Sequence, residues 1–385
     1  MLFRSMGALI DAHGDDPRAR GWRVTLAGDL IDRQAEPLAR RLLAGYAVRE
    51  DRAALARLAQ RAQDLLKDAI EAGDAVTPED RPLRPAGYTL AWARLWRGLA
   101  REDKAAGQAV LAMFEAGDWP TAIAESGGAY LLRGLAGRLA GQVDPARSAL
   151  EIVASMTPDP AAAPATLWPT TVARTQAARV LLDQGRSAEA LREATEISRW
   201  LDGLTIEPSD EIRLTVGLLQ ADAAQAAAGQ APDAPTRDGL MEQSQRALMT
   251  LCERSPAMRR IVYDRLVDRT PPDTPAEALT PLAVIAHADL AIRREHWDRA
   301  RDLALRIPTM AGSVAEALWP EAAYDVALCL YGVGQVRPAI EGFAALTAAW
   351  PESSYARQGA LHAAGIAGDD FARRRDDADA GRLYR

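Results

Sequence analysis

The chain has 385 residues, of which 48% are hydrophobic, 26% charged and only 5% aromatic, with a formal net charge of −7 at pH 7. That length allows two or three ordinary domains or one elongated repeat array. The acidic balance offers no electrostatic footprint for nucleic acid, whose binding depends on neutralising phosphates, so no nucleic-acid partner is expected.

Alanine dominates the composition, so a core must be built from small aliphatic side chains at close range, which favours helices over sheets. Lys67 and Lys104 are the only lysines; the arginine, alanine, glycine and proline bias reads as a GC-rich genome. No Gly-x-x-x-x-Gly-Lys-Ser/Thr loop exists, which argues against nucleotide hydrolysis. Cys252 and Cys329 sit in apolar helical runs without zinc-type spacing and read as buried structural thiols. His13, His287, His296 and His362 form no His-Glu-x-x-His pattern, so neither a metal nor any other cofactor is expected. No run of about 18 apolar residues that could cross a bilayer is present.

The N-terminus reads as the middle of a helix, and Leu2-Phe3-Arg4-Ser5 is what a common sequencing-adapter end encodes in frame. The expectation is a truncated start, with any targeting signal or catalytic domain upstream, which leaves cytoplasm and periplasm both open. From Glu50 to Gly73, Leu55, Leu58, Ala62, Leu65, Leu66 and Ala69 recur at three- and four-residue steps on one stripe. Similar stripes occur at 22–31, 87–99, 171–184, 210–228, 276–294 and 320–333, and no run of alternating β-branched residues accompanies them. Gly- and Pro-rich breaks fall at 73–87, 157–164, 229–239 and 268–277. "ESGGAY", Glu125 to Tyr130, reads as a loop or helix kink before it reads as a nucleophile site. The divisions are helical hairpins over 1–72, degenerate hairpins over 87–228, C-terminal hairpins over 239–366, and a polar tail over 367–385 expected to fray or be disordered.

One phrase recurs. A turn glycine is followed five residues later by alanine at Gly117/Ala122, Gly141/Ala146, Gly185/Ala190 and Gly334/Ala339, with a glycine-less relative at Glu295/Ala300. The glycine ends one helix and the alanine lies early in the next, where two antiparallel helices approach most closely. Pro145 and Pro338, just before the alanine, suit the first turn, and Pro158 and Pro351 close the second helix. Small residues stand seven positions before the glycine at Gly134, Ala178 and Ala327, and Leu330, Ile340, Phe343 and Leu346 are placed between the helices. Trp-Pro pairs at Trp119, Trp168, Trp319 and Trp350 read as staples at helix boundaries or, alternatively, as indoles lining a groove.

With its late proline and "S-x-Y-A" sequel, this unit resembles the tetratricopeptide repeat, especially the degenerate form in bacterial envelope-assembly and Tol-associated proteins. Glu321 to Ala364 carries the resemblance most specifically, then Ala173 to Leu201, then 128–158. The spacing between turns is irregular against the family's period of about 34 residues. The resemblance implies an all-α fold, one continuous α-solenoid of irregular antiparallel hairpins whose first helices line a concave groove. Glu321, Tyr324, Leu328 and Tyr331, together with Arg179, are the residues that groove would present, the alternative being that the aromatics of this stripe pack against the next repeat. A non-catalytic scaffold binding a protein or peptide partner is the leading reading. A helical accessory region of a larger enzyme, of the cell envelope or carbohydrate-active, and a closed α/α toroid with a carbohydrate-active centre, stay open beside it.

Stacked hairpins should give an elongated particle. Small-angle scattering checks this: a radius of gyration near the roughly 21 Å of a globular chain of this length would count against the solenoid.

Overall fold

The computed structural model describes residues 12, 17–71, 86–116, 121–156, 167–205, 207–271 and 274–383. His13, Gly117, Trp119, Pro158 and most of the breaks at 73–87 and 157–164 lie outside them. The protein is all-α; no strand occurs among the described residues. Two compact units form, Met1–Ser244 and Gln245–Arg385.

In the first unit the helices are α1 (Pro17–Asp29), α2 (Glu36–Ala44), α3 (Arg49–Glu71), α4 (Ala86–Arg101), α5 (Lys104–Glu115), the short α6 (Thr121–Ala124), α7 (Gly127–Ala140), α8 (Val143–Ser155), α9 (Leu167–Asp183), α10 (Ser187–Asp202) and α11 (Asp210–Ala228). A π-helical turn, Leu30–Ala35, joins α1 to α2. The unit boundary falls within α12 (Ala234–Arg254). The second unit continues with α13 (Pro256–Arg269), α14 (Pro281–Arg293), α15 (Trp297–Ala304), the short α16 (Ser313–Ala317), α17 (Trp319–Gly332), α18 (Val336–Ala349) and α19 (Ser354–Leu383). Successive helices pack as hairpins: α7 on α8, α9 on α10, α14 on α15, α17 on α18.

The repeated phrase is a helix cap. Gly141, Gly185 and Gly334 are left-handed, with φ of 80°, 74° and 81°. The next amide reaches back over the helix end: Gln142 N to Gly137 O at 2.8 Å, Arg186 N to Leu181 O at 2.9 Å, and Gln335 N to Leu330 O at 2.9 Å. The glycine-less relative does the same, since Glu295 has φ 58° and His296 N donates to Ala291 O at 2.9 Å. A left-handed non-glycine residue costs roughly 1–2 kcal/mol, so the surrounding packing holds Glu295 there. Glu102, with φ 57°, makes an equivalent turn that the glycine-based reading passes over.

The alanine five residues on is fully buried at Ala146, Ala190, Ala300 and Ala339, whereas Ala122, five after Gly117, is exposed, so burial does not place that pair with the others. After Glu102 the corresponding residue is Gly107, where a Cβ would come within 2.7 Å of Ala136 O. The upstream small positions face the second helix about one turn beyond that alanine: a Cβ on Gly134 would lie 2.6 Å from Leu150 Cγ, one on Gly342 would lie 3.1 Å from Ala327 Cβ, and Ala178 is buried. Phe343 and Leu346 fill the last hairpin, with Leu330 and Ile340 partly buried beside them.

Two expectations change. The polar segment after 366 is helical, because α19 continues to Leu383. It contains no proline, and its alanine and arginine are good helix formers, so polarity alone does not end the helix. Contacts are also not confined to neighbouring hairpins, because α2 packs against α9 and α11. Its last carbonyls need donors: Gln176 Nε2 donates to Leu43 O at 3.0 Å, and Arg179 Nη2 donates to Ala44 O at 3.3 Å.

Ala339→Leu should overpack the last hairpin and destabilise by about 1–3 kcal/mol. Ala360→Ser, at an exposed position of α19, should cost much less. Chemical denaturation of both variants checks the alignment.

Candidate functional site

The residues assigned to a partner groove are placed in different units and are largely used in packing. Arg179, in the first unit, pairs with Asp222 at 3.4 Å and caps α2, with its side chain only 13% exposed. In the second unit, Glu321 is buried and accepts a hydrogen bond from Tyr263 Oη at 2.9 Å. Tyr324 is enclosed by the rings of Phe343 and Tyr355, each at 5.6 Å, and His362 at 5.8 Å. Leu328 and Tyr331 pack partly buried against the same cluster. The stripe therefore does not lie open. Its three- and four-residue spacing is common to a concave face and to a face covered by the next helix, and here α18 and α19 cover it.

The first unit holds a concave site that the sequence reading did not assemble. Tyr88, Trp92 and Trp96 stand one turn apart on α4; Tyr88 meets Trp92 edge-on at 6.3 Å, and Trp92 lies 4.8 Å from Trp96. Trp168 adds a fourth ring from the start of α9, and Leu43, Leu131 and Val172 complete buried apolar walls. The π-helical turn aims Ile31 and Asp32 into the same space, a use for which such turns are common. The cavity is about 190 Å³.

Its mouth is polar and internally committed. Arg40 holds Glu36 at 2.7 Å, approaches Glu211 at 3.8 Å and lays its guanidinium 4.8 Å from the Trp168 ring centroid. Burial raises the Glu211 carboxyl, opposed by Arg40 and Arg41. Burial, followed by the Glu211 charge, pushes the nearby Tyr46 phenol up to about 12.

Local sequence explains the placement. Ser126 caps α7 by accepting from Ala129 N at 3.2 Å, so "ESGGAY" is a helix start. Gly128 then leaves room for Tyr88, since a Cβ there would lie 2.6 Å from its hydroxyl. Trp168 and Trp319 do mark helix starts, as the Trp-Pro pairs imply, but Trp168 also forms pocket wall. The legible signal was the aromatic ladder Tyr88, Trp92, Trp96; its convergence with Trp168, far along the chain, was not legible.

Elsewhere the chemistry is quiet. A wider depression of about 570 Å³ between α10, α11 and the start of α12 is lined by Leu191, Arg192, Arg199 and Leu240 among others, without a ring. Burial pushes the thiols of Cys252 and Cys329 up to about 12, so neither is a thiolate at neutral pH. Among the described residues no group of three or more His, Cys, Asp or Glu side chains is arranged to hold a metal ion. No described helix is long and apolar enough to cross a membrane.

No protein-family model matches the chain, and no curated protein matches it in sequence. Among solved structures, the human IFIT1 dimer with m7Gppp-AAAA is similar at 11% identity and a TM-score of 0.33, over 96% of this chain and 78% of that one. A superposition of that quality assigns neither fold nor function.

Gly128→Ala should destabilise by about 1–3 kcal/mol by crowding the Tyr88 hydroxyl. Adding Tyr88→Phe should recover part of the loss, and a double-mutant cycle by denaturant unfolding measures that coupling.

Proposed function

We propose that the protein is a non-catalytic binding scaffold, and that the aromatic pocket of its first unit seats one bulky apolar side chain of a protein partner's segment. The observation that carries this reading is a cavity of about 190 Å³ floored by Tyr88, Trp92, Trp96 and Trp168. An apolar cavity of about 150 Å³ accommodates a benzene ring. Small-molecule sites usually run from about 300 to 1,000 Å³. The size therefore suits a single side chain better than a whole substrate.

The polar groups support binding over catalysis. Glu36 is committed to Arg40, and Glu211, whose carboxyl burial raises, is approached by the same guanidinium and does not line the cavity, whereas a catalytic acid or base needs a carboxylate facing the reacting group. Aromatic walls supply large contact area at low entropic cost, as in the anchoring pockets of protein interfaces. The resemblance of the hairpin turns to those of envelope-assembly tetratricopeptide proteins favours a partner that is itself an assembly component, presented as an extended segment.

Peptide display against the full chain tests this. Enriched peptides should share one large apolar or aromatic residue, and Pro169→Trp, at the exposed rim, should weaken them more than tenfold with the melting temperature nearly unchanged. Peptides without such a residue, or indifferent to the rim substitution, would sink the assignment.

A further inference from the structure

The second unit buries carboxylates for which the binding role has no use. Glu321 and Asp325 stand one turn apart on α17 and are 8% and 7% exposed. Glu321 Oε1 receives the Tyr263 hydroxyl from α13. Asp325 Oδ2 is buried and has no hydrogen-bond partner. The positive charge opposing the pair comes from Arg259 on α13, whose guanidinium lies 5.2 Å from the Tyr355 ring centroid. Asp289 on α14, held by Arg293 at 2.8 Å, adds further negative charge.

The remaining neighbours do not change this balance. On α15, Asp298 and Arg301 pair at 3.2 Å and act one turn along, on Cys329. Arg337 and Glu341 on α18 are exposed and pair at 2.9 Å, and Glu316 on α16 is exposed. From α19 come Tyr355, against Glu321, and the exposed His362; α17 itself adds Tyr324 and Cys329. Arg259 is thus the cation that opposes both carboxylates, Cys252 of α12 faces Glu321 as a thiol, and an incompletely compensated charge in a protein interior costs several kcal/mol. A bound proton removes that cost.

We propose that Glu321 and Asp325 hold one proton between them in the folded unit, with Asp325 as its carrier, and that this proton links the packing of α13, α17 and α19 to pH. Uptake tightens the unit and release loosens it. Burial, with the charges of Glu321 and Asp289 adding to it, pushes the Asp325 carboxyl well above the usual carboxylate range; burial also raises Glu321, against Arg259. In the unfolded chain both groups titrate near pH ~4. A folded-state pKa raised above that value gives a contribution complete below pH ~4 and lost as pH rises toward the folded value.

Amide hydrogen exchange on the full chain, corrected for intrinsic rates, reads the effect segment by segment. Between about pH 5 and about pH 9, residues 319–332 and 354–366 should lose at least tenfold in protection relative to residues 86–101, one pKa unit being tenfold. Asp325→Asn, which mimics the protonated side chain, should abolish the trend and raise protection at pH 8. A flat wild-type profile, or an unchanged slope in the variant, overturns the proposal. Should the variant fail to fold, infrared spectra of wild-type protein carrying ¹³C-labelled aspartate decide: a protonated-carboxyl carbonyl band at pH 7 supports the shared proton, and its absence overturns it.

Discussion

The rest of the structure depends on how closely two helices can approach just after a left-handed turn. At Ala146, Ala190, Ala300 and Ala339 the side chain is fully buried, and the small residue seven before the turn meets the second helix a little further on, Gly134 beside Leu150 and Ala327 beside Gly342. The left-handed residue brings the second helix back within that distance, and the amide after it satisfies a carbonyl that the helix end would otherwise orphan. With so few aromatic residues in the chain, close approach of alanine-rich helices supplies dispersion contacts that bulky side chains supply in other cores. That Glu295 and Glu102 tolerate left-handed backbone shows that hairpin geometry, more than glycine as such, governs these turns.

Once the hairpins are set, buried helix ends have to be satisfied. Gln176 and Arg179 complete the end of α2 from a distant helix, which draws α2, α9 and α11 together in the first unit. That convergence also places Arg40 of α2 over Trp168 of α9 and close to Glu211 of α11. The aromatic pocket is therefore a by-product of capping and packing as much as of its own residues. Binding surfaces on helical repeats commonly arise this way, from side chains that the stacking brings together.

Arginine–carboxylate pairs occur in both units, but one pair of carboxylates in the second unit stands apart. In the first, Arg40, Arg138 and Arg179 each meet a carboxylate, so their charges are matched. In the second, Glu321 and Asp325 lie buried where Arg259 opposes both. Matched pairs specify which helices meet; unmatched buried carboxylates couple packing to protonation instead.

Local periodicity and turn chemistry were legible in the sequence because they depend on residues a few positions apart. The helical stripes, the turn at Gly141, Gly185, Gly334 and Glu295, and the need for alanine five residues later all follow from rules of that range. Which stripe would be covered was not legible, because the spacing of Glu321, Tyr324, Leu328 and Tyr331 is the same on an open face and on a buried one. Arg179 likewise read as a free binding group, until the carbonyl of Ala44 and the carboxylate of Asp222 proved to hold it. The pocket joins Tyr88, Trp92 and Trp96 to Trp168 and Arg40, residues far apart in the chain, and only tertiary packing could bring them together. A one-dimensional pattern records which side of a helix is apolar; which neighbour meets that side is decided by long-range contacts.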